Sequence, residues 1–170
     1  MKNRHRFLLL TLLYQHSVSA AKIETDLFSI DVPDQWRVED DKSSTILVMG
    51  DRILDQTPMP FLGIQYCAQT DLLGAEVKPC NEPCSEKSLD FLTSEQFGDL
   101  TFSAVVKHMK KGGIVEYSTE AVSPILRSTM FAAQSCSNAG QVYVFLVSDQ
   151  SNEDAKSVFE SVIGSIKWKN

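Results

Sequence analysis

The run Val142 to Val147 is apolar at every position. A strand with one wet face alternates apolar and polar residues, so an unbroken run marks a central strand covered on both faces. The next segment supplies a cover. Ala155, Val158, Phe159, Val162, Ile163 and Ile166 recur at i, i+3, i+4, i+7, i+8 and i+11. That spacing draws an apolar stripe down one side of a helix, and the stripe has to pack on something. Ser151, with Asp154 three residues on, is placed to cap the helix.

Other segments fit the same pattern. Phe28 to Val32 alternates strictly, and Pro33-Asp34 ends it before Trp36. Thr45 to Met49 and Phe61 to Cys67 read as further strands. Between them lies a loop from Gly50 to Pro60, with Pro58 and Pro60 as breakers. Residues 70–85 carry the turn signals Gly74, Pro79 and Pro83. A helix is expected from Ser85 or Ser88 to Phe97, with Leu89, Leu92 and Phe97 inward and Gly98 as its stop. Phe102 to Met109 and Ile114 to Tyr117 flank Lys110-Lys111-Gly112-Gly113, whose glycines supply the positive φ of a tight hairpin. Ile125 to Cys136 and Gln141 to Val147 flank a second turn, Ser137 to Gly140. Three strands, a helix, four strands and a helix predict an α+β sandwich with a mainly antiparallel sheet.

The N-terminus reads as an export signal. Lys2, Arg4 and Arg6 precede the apolar run Phe7 to Leu13, and Val18-Ser19-Ala20 offers small residues for cleavage. The run is far shorter than the roughly 20 residues of a membrane-spanning helix. Residues 1–20 are therefore expected to be a signal peptide, and 21–170 a single globular domain without stable membrane insertion. The leader holds three of the 16 basic residues and none of the 22 acidic ones, so the processed chain carries 13 against 22, a net charge of −9. Nucleic acid and anionic membranes call for clustered cations, so neither is an expected partner.

The cysteines are Cys67, Cys80, Cys84 and Cys136. An even number in an exported chain points to two disulfides, and three pairings are open. Cys80 and Cys84 flank the turn-prone Asn81-Glu82-Pro83, which favours a local bridge and leaves Cys67 to pair with Cys136. A zinc site would need a second close-spaced pair, and His108 is the only histidine beyond the leader.

Two segments carry a family resemblance. The opening Phe28-Ser-Ile-Asp-Val-Pro-Asp-Gln-Trp36 and the closing Val158-Phe-Glu-Ser-Val-Ile-Gly-Ser-Ile-Lys-Trp168 resemble the first strand and final helix of the PsbP/Mog1-like domains. The likeness runs from about residue 26 to 168. It implies a three-layer α/β/α sandwich and a mostly non-enzymatic role. Photosystem assembly subunits, a nuclear-transport GTPase partner, bacterial envelope proteins and chaperones of secreted toxins share that fold. It supplies no catalytic residues to carry over, and a shared fold does not choose among these roles. The four cysteines and the long 70–85 loop depart from the family pattern.

Chemistry-bearing motifs are sparse. His108 sits among Lys107, Lys110 and Lys111, and no partner for a general base is evident beside it. The chain contains no G-x-S-x-G elbow, Gly-rich phosphate loop or H-E-x-x-H motif. Glu39-Asp40-Asp41 reads as a solvated loop. Asp51 and Asp55 could ligate calcium, but their spacing matches no calcium loop. Trp36 and Trp168 read as core residues near the ends of the sheet. The expectation is a periplasmic binding protein without cofactor or catalysis, which neutralises another protein such as a secreted bacterial toxin. An envelope assembly factor of PsbP-like type is the alternative, and a carboxylate-based calcium-binding protein or enzyme the third reading. Loops on a rigid scaffold commonly carry recognition, so Asp51, Arg52 and Asp55 are the candidate partner contacts.

Overall fold

The computed structural model describes residues 20–42, 45–54, 57–68, 79–85, 89 and 101–169. The strands are β1 (Ala20–Glu24), β2 (Phe28–Pro33), β3 (Arg37–Lys42), β4 (Thr45–Leu54), β5 (Thr57–Ala68), β6 (Thr101–Phe102), β7 (Val106–Met109), β8 (Val115–Ser123), β9 (Ser128–Cys136), β10 (Gly140–Asp149) and β11 (Lys167–Trp168), with helix α1 (Ala155–Gly164) before the last. The large sheet runs β3-β4-β5-β10-β9-β8-β6, with β7 also on β8, and a small sheet runs β1-β2-β11. All named strand pairs are antiparallel.

The apolar run lies on β10, between β5 and β9. Its side chains divide by strand alternation. Val142, Val144 and Leu146 join a front core with Phe28, Ile30, Val32, Leu62, Ile64 and the α1 residues Phe159, Val162 and Ile163. Phe145 and Val147 face the back, among Leu89, Tyr117, Met130 and Cys84. Gly63 faces Phe145 across the β5–β10 pair, and a Cβ there would lie 2.0 Å from the ring. Only glycine leaves room for that phenyl group.

The expected three-layer α/β/α sandwich is not what forms. The described residues contain one α-helix and are mostly antiparallel sheet. The helix stripe and the small sheet cover the front, while residues 80–84, tied down by disulfides, and Leu89 pack on the back. The expected helix to Phe97 falls outside the described residues, apart from Ser85 and Leu89.

Strands also extend where loops were expected. The hairpin of β4 and β5 continues through the Gly50–Pro60 stretch, with a register shift between Met49 and Arg52. Pro58 and Pro60 fit here because pairing with β10 begins only at Phe61, so among the described residues β5 has a strand on one side only at these positions. The acidic run Glu39-Asp40-Asp41 lies in β3, the edge strand beside β4, where charge discourages further pairing. Helix α1 starts at Ala155 without a side-chain cap. Ser151 instead bonds Asp149 Oδ1 through its N–H (2.7 Å) and hydroxyl (2.6 Å). Gly112 (φ 82°) and Gly113 (φ 77°) turn β7 into β8 as expected.

The disulfides are Cys67–Cys80 and Cys84–Cys136, so the expected pairing is wrong. The reason lies in register. Cys67 and Cys136 both stand opposite Gln141, one from each side of β10. Two strand spacings put them about 9.5 Å apart, beyond the roughly 7 Å that a disulfide spans. Residues 80–84 cross between them instead, and Cys80 N–H donates to the Ala68 carbonyl at 2.8 Å.

Candidate functional site

Helix α1 packs on β2, β9 and β10 and stops short of the sheet's β7–β8 end. The front face of β8 is therefore left open, and Glu116, Ser118 and Glu120 alternate onto it. A cleft of about 480 Å³ forms between this face and the helix. Its floor is apolar, with Phe131, Phe159 and Ile163. The Phe131 and Phe159 rings lie 5.6 Å apart. Its rim is polar, with His108 and the charged Lys110 and Glu116 on the strand side and the charged Lys156 and Glu160 on the helix.

Glu116 is the most constrained charge. Its side chain is 11% exposed, and Lys110 Nζ reaches Oε2 at 2.5 Å. The neighbouring pair, Lys156 and Glu120 at 3.5 Å, is well exposed and contributes little. His108 stands opposite Glu116 in the β7–β8 register. The sequence hid this pairing, because eight positions and a turn separate the two residues. Glu116 is committed to the Lys110 ammonium, and His108 is exposed. Both signs of charge around an apolar floor suit an amphipathic polypeptide better than a small ion.

The other candidate residues lie elsewhere. Asp51 and Arg52 are on β4, four strand spacings or about 19 Å across the sheet from β8. Asp55 falls outside the described residues. Trp36 is buried in the front core, and Trp168 packs on Phe28 with ring centroids 5.8 Å apart. On β1, an ion pair raises the Lys22 ammonium pKa and lowers that of the Glu24 carboxyl, chiefly through their shared hydrogen bond. Both groups are exposed and lie outside the cleft. Among the described residues no set of three or more His, Cys, Asp or Glu is placed to hold a metal ion.

No family profile matches this sequence, and no curated protein does. Solved structures do. The cyanobacterial PsbP (CyanoP) of Synechocystis superposes with a TM-score of 0.58 at 12% identity, over 89% of this chain and 94% of that one. The fold is PsbP-like. A protein of Bacteroides thetaiotaomicron matches more loosely, with a TM-score of 0.41 at 8% identity over 84% of this chain and 45% of its own. The PsbP-like likeness bears out the resemblance drawn from the Phe28–Trp36 and Val158–Trp168 segments. Both cysteine pairs of this PsbP-like chain are bonded, which suits an oxidising compartment. No helix among the described residues is long and apolar enough to cross a membrane.

Proposed function

We propose that this is an exported binding protein that works without catalysis, by seating part of a protein partner in the cleft between α1 and β8. One observation carries the reading. The cleft joins an apolar floor, Phe131, Phe159 and Ile163, to a rim bearing both charge signs. Such a surface desolvates apolar anchors at its centre and orients polar groups at its edge. The export-type leader and the two disulfides support a periplasmic site of action.

Within that class, neutralisation of a secreted bacterial toxin is the reading we favour. It rests on the export signal, the net charge of −9 after processing and the sparse catalytic motifs. Inhibition needs only a rigid, complementary surface. Co-expression of the neighbouring gene with this one, exported together, tests it directly. Protection of the cells that is lost with Ala104→Trp supports it. Ala104 is exposed and lines the cleft, so an indole there fills the site without disturbing the core. No protection, together with no co-purifying partner, overturns it.

A second reading is an envelope assembly factor, which the resemblance to PsbP/Mog1-like domains allows but does not select. That reading expects a deletion phenotype in the absence of any rival strain.

A further inference from the structure

We infer that the free edge of β7 takes an extended, acidic polypeptide segment as an added strand, lying along the mouth of the cleft. All four residues of β7, Val106 to Met109, are exposed. Among the described residues they pair only with β8. Lys110 N–H donates to the Ile114 carbonyl at 2.8 Å, which makes that pair a hydrogen-bonded one. Alternation then turns the N–H and C=O of Lys107 and Met109 outward, as two donors and two acceptors at the spacing a further strand needs. Among the described residues no strand meets them. Exposed edges are usually blunted by bulges, prolines or charged side chains, lysine above all, which repel a strand of like charge. β7 carries no proline, and its one lysine, Lys107, opposes a basic strand but not an acidic one. Val106 is 50% and Met109 68% exposed.

Charge selects the occupant. Lys107, Lys110 and Lys111 fall within five consecutive residues of a chain that is otherwise strongly acidic. Lys110 is engaged by Glu116, which leaves Lys107, over the Tyr117 ring at 5.5 Å, and Lys111 at the exposed turn. Repulsion from the distant acidic surface is screened beyond about 8 Å at physiological salt, so the local cations dominate the encounter. Val106 and His108 also line the cleft. A strand added beside them would turn alternate side chains toward the cleft and leave the others in solvent, which is the usual logic of strand addition. The inference rests on the binding function proposed above and assigns that function its contact.

The test uses the full processed protein and two synthetic octapeptides, one of alternating glutamate and valine and one of alternating lysine and valine. Amide hydrogen exchange at Lys107 and Met109 is the readout, with His108, whose N–H already faces β8, as internal control. The acidic peptide is expected to slow exchange at both outward amides by about tenfold, with the effect fading as salt is raised. The basic peptide should leave them unchanged. Lys107→Glu with Lys111→Glu should abolish the protection, and Met109→Pro, which removes one outward donor, should do the same. Equal protection by both peptides, or by neither, overturns the inference. Partner capture separates the two levels. Capture that is lost with Ala104→Trp but unchanged in the lysine and proline variants keeps the binding function and rejects the β7 edge.

Discussion

The side-chain amide of Gln141 donates a 2.7 Å hydrogen bond to the backbone carbonyl of Glu82, 59 residues away in the chain. Gln141 is fully buried at the middle of the sheet, and Glu82 is the central residue of the segment between Cys80 and Cys84. Cys67 and Cys136 flank Gln141 on the neighbouring strands. Two disulfides and this hydrogen bond therefore hold one five-residue strap across three strands. Covalent bonds hold the strap against the back of the sheet there.

The two bridges should differ in worth. Cys67–Cys80 closes 13 residues and Cys84–Cys136 closes 52. Chain-entropy arithmetic gives about 3 kcal/mol for the first and about 4 kcal/mol for the second. Urea unfolding of the paired serine variants is expected to rank them in that order. Cys80→Ser should expose an alkylatable thiol at Cys67, and Cys84→Ser one at Cys136. Labelling of Cys136 in the Cys80→Ser protein would contradict the pairing.

Gln141 and Gln134 look alike in burial but not in partners. Gln134 Nε2 donates to Gln141 Oε1 (2.8 Å) and to the Tyr143 hydroxyl (2.7 Å), while its own Oε1 is buried without a partner. Gln134→Met removes that orphaned oxygen, and the Tyr143 hydroxyl keeps its 3.0 Å bond to Gln141. Gln141→Met takes the 2.7 Å donor from the Glu82 carbonyl and removes the acceptor that Gln134 and Tyr143 share, although those two still bond each other. Denaturation should show a loss of about 1–3 kcal/mol for Gln141→Met and a clearly smaller one for Gln134→Met.

Gly63→Ala should cost about 1–3 kcal/mol, because the new methyl group meets the Phe145 ring in the close-packed middle of the sheet. Phe145→Leu in the same chain makes room. The double variant is expected to be more stable than the sum of the two single losses predicts, as read from thermal melts.

At the cleft, Lys110→Met leaves the largely buried Glu116 carboxylate without its ammonium partner. The loss should be about 1 kcal/mol, tempered by the exposure of the lysine. Adding Glu116→Gln removes the stranded charge and should restore part of it. A double variant less stable than Lys110→Met alone would show that the carboxylate has another stabilising partner.

Elements whose cause is local were legible in the chain. The Val142–Val147 run marked the central strand, the spacing from Ala155 to Ile166 marked the helix, and Gly112-Gly113 marked a tight turn. Each depends on residues within a few positions of one another. The strand β3 was hidden because an edge strand can be charged, and the second half of the β4–β5 hairpin because its prolines precede the start of pairing with β10. The expected cap did not form because the helix starts four residues further on, at Ala155, and Ser151 belongs to the turn before it, where it donates to Asp149.

Composition, periodicity and turn chemistry are properties of short stretches, and from them alone came the antiparallel character, the central strand and the packed C-terminal helix. Pairing between distant stretches is another matter. That Cys67 and Cys136 share a neighbour, that His108 faces Glu116 and that Phe131 meets Phe159 all depend on strand order and register. Backbone hydrogen bonds set that register, and every residue except proline carries the same donor and acceptor, so the sequence bears little mark of it. The disulfide pairing and the cleft follow from it and appear only when the sheet is assembled.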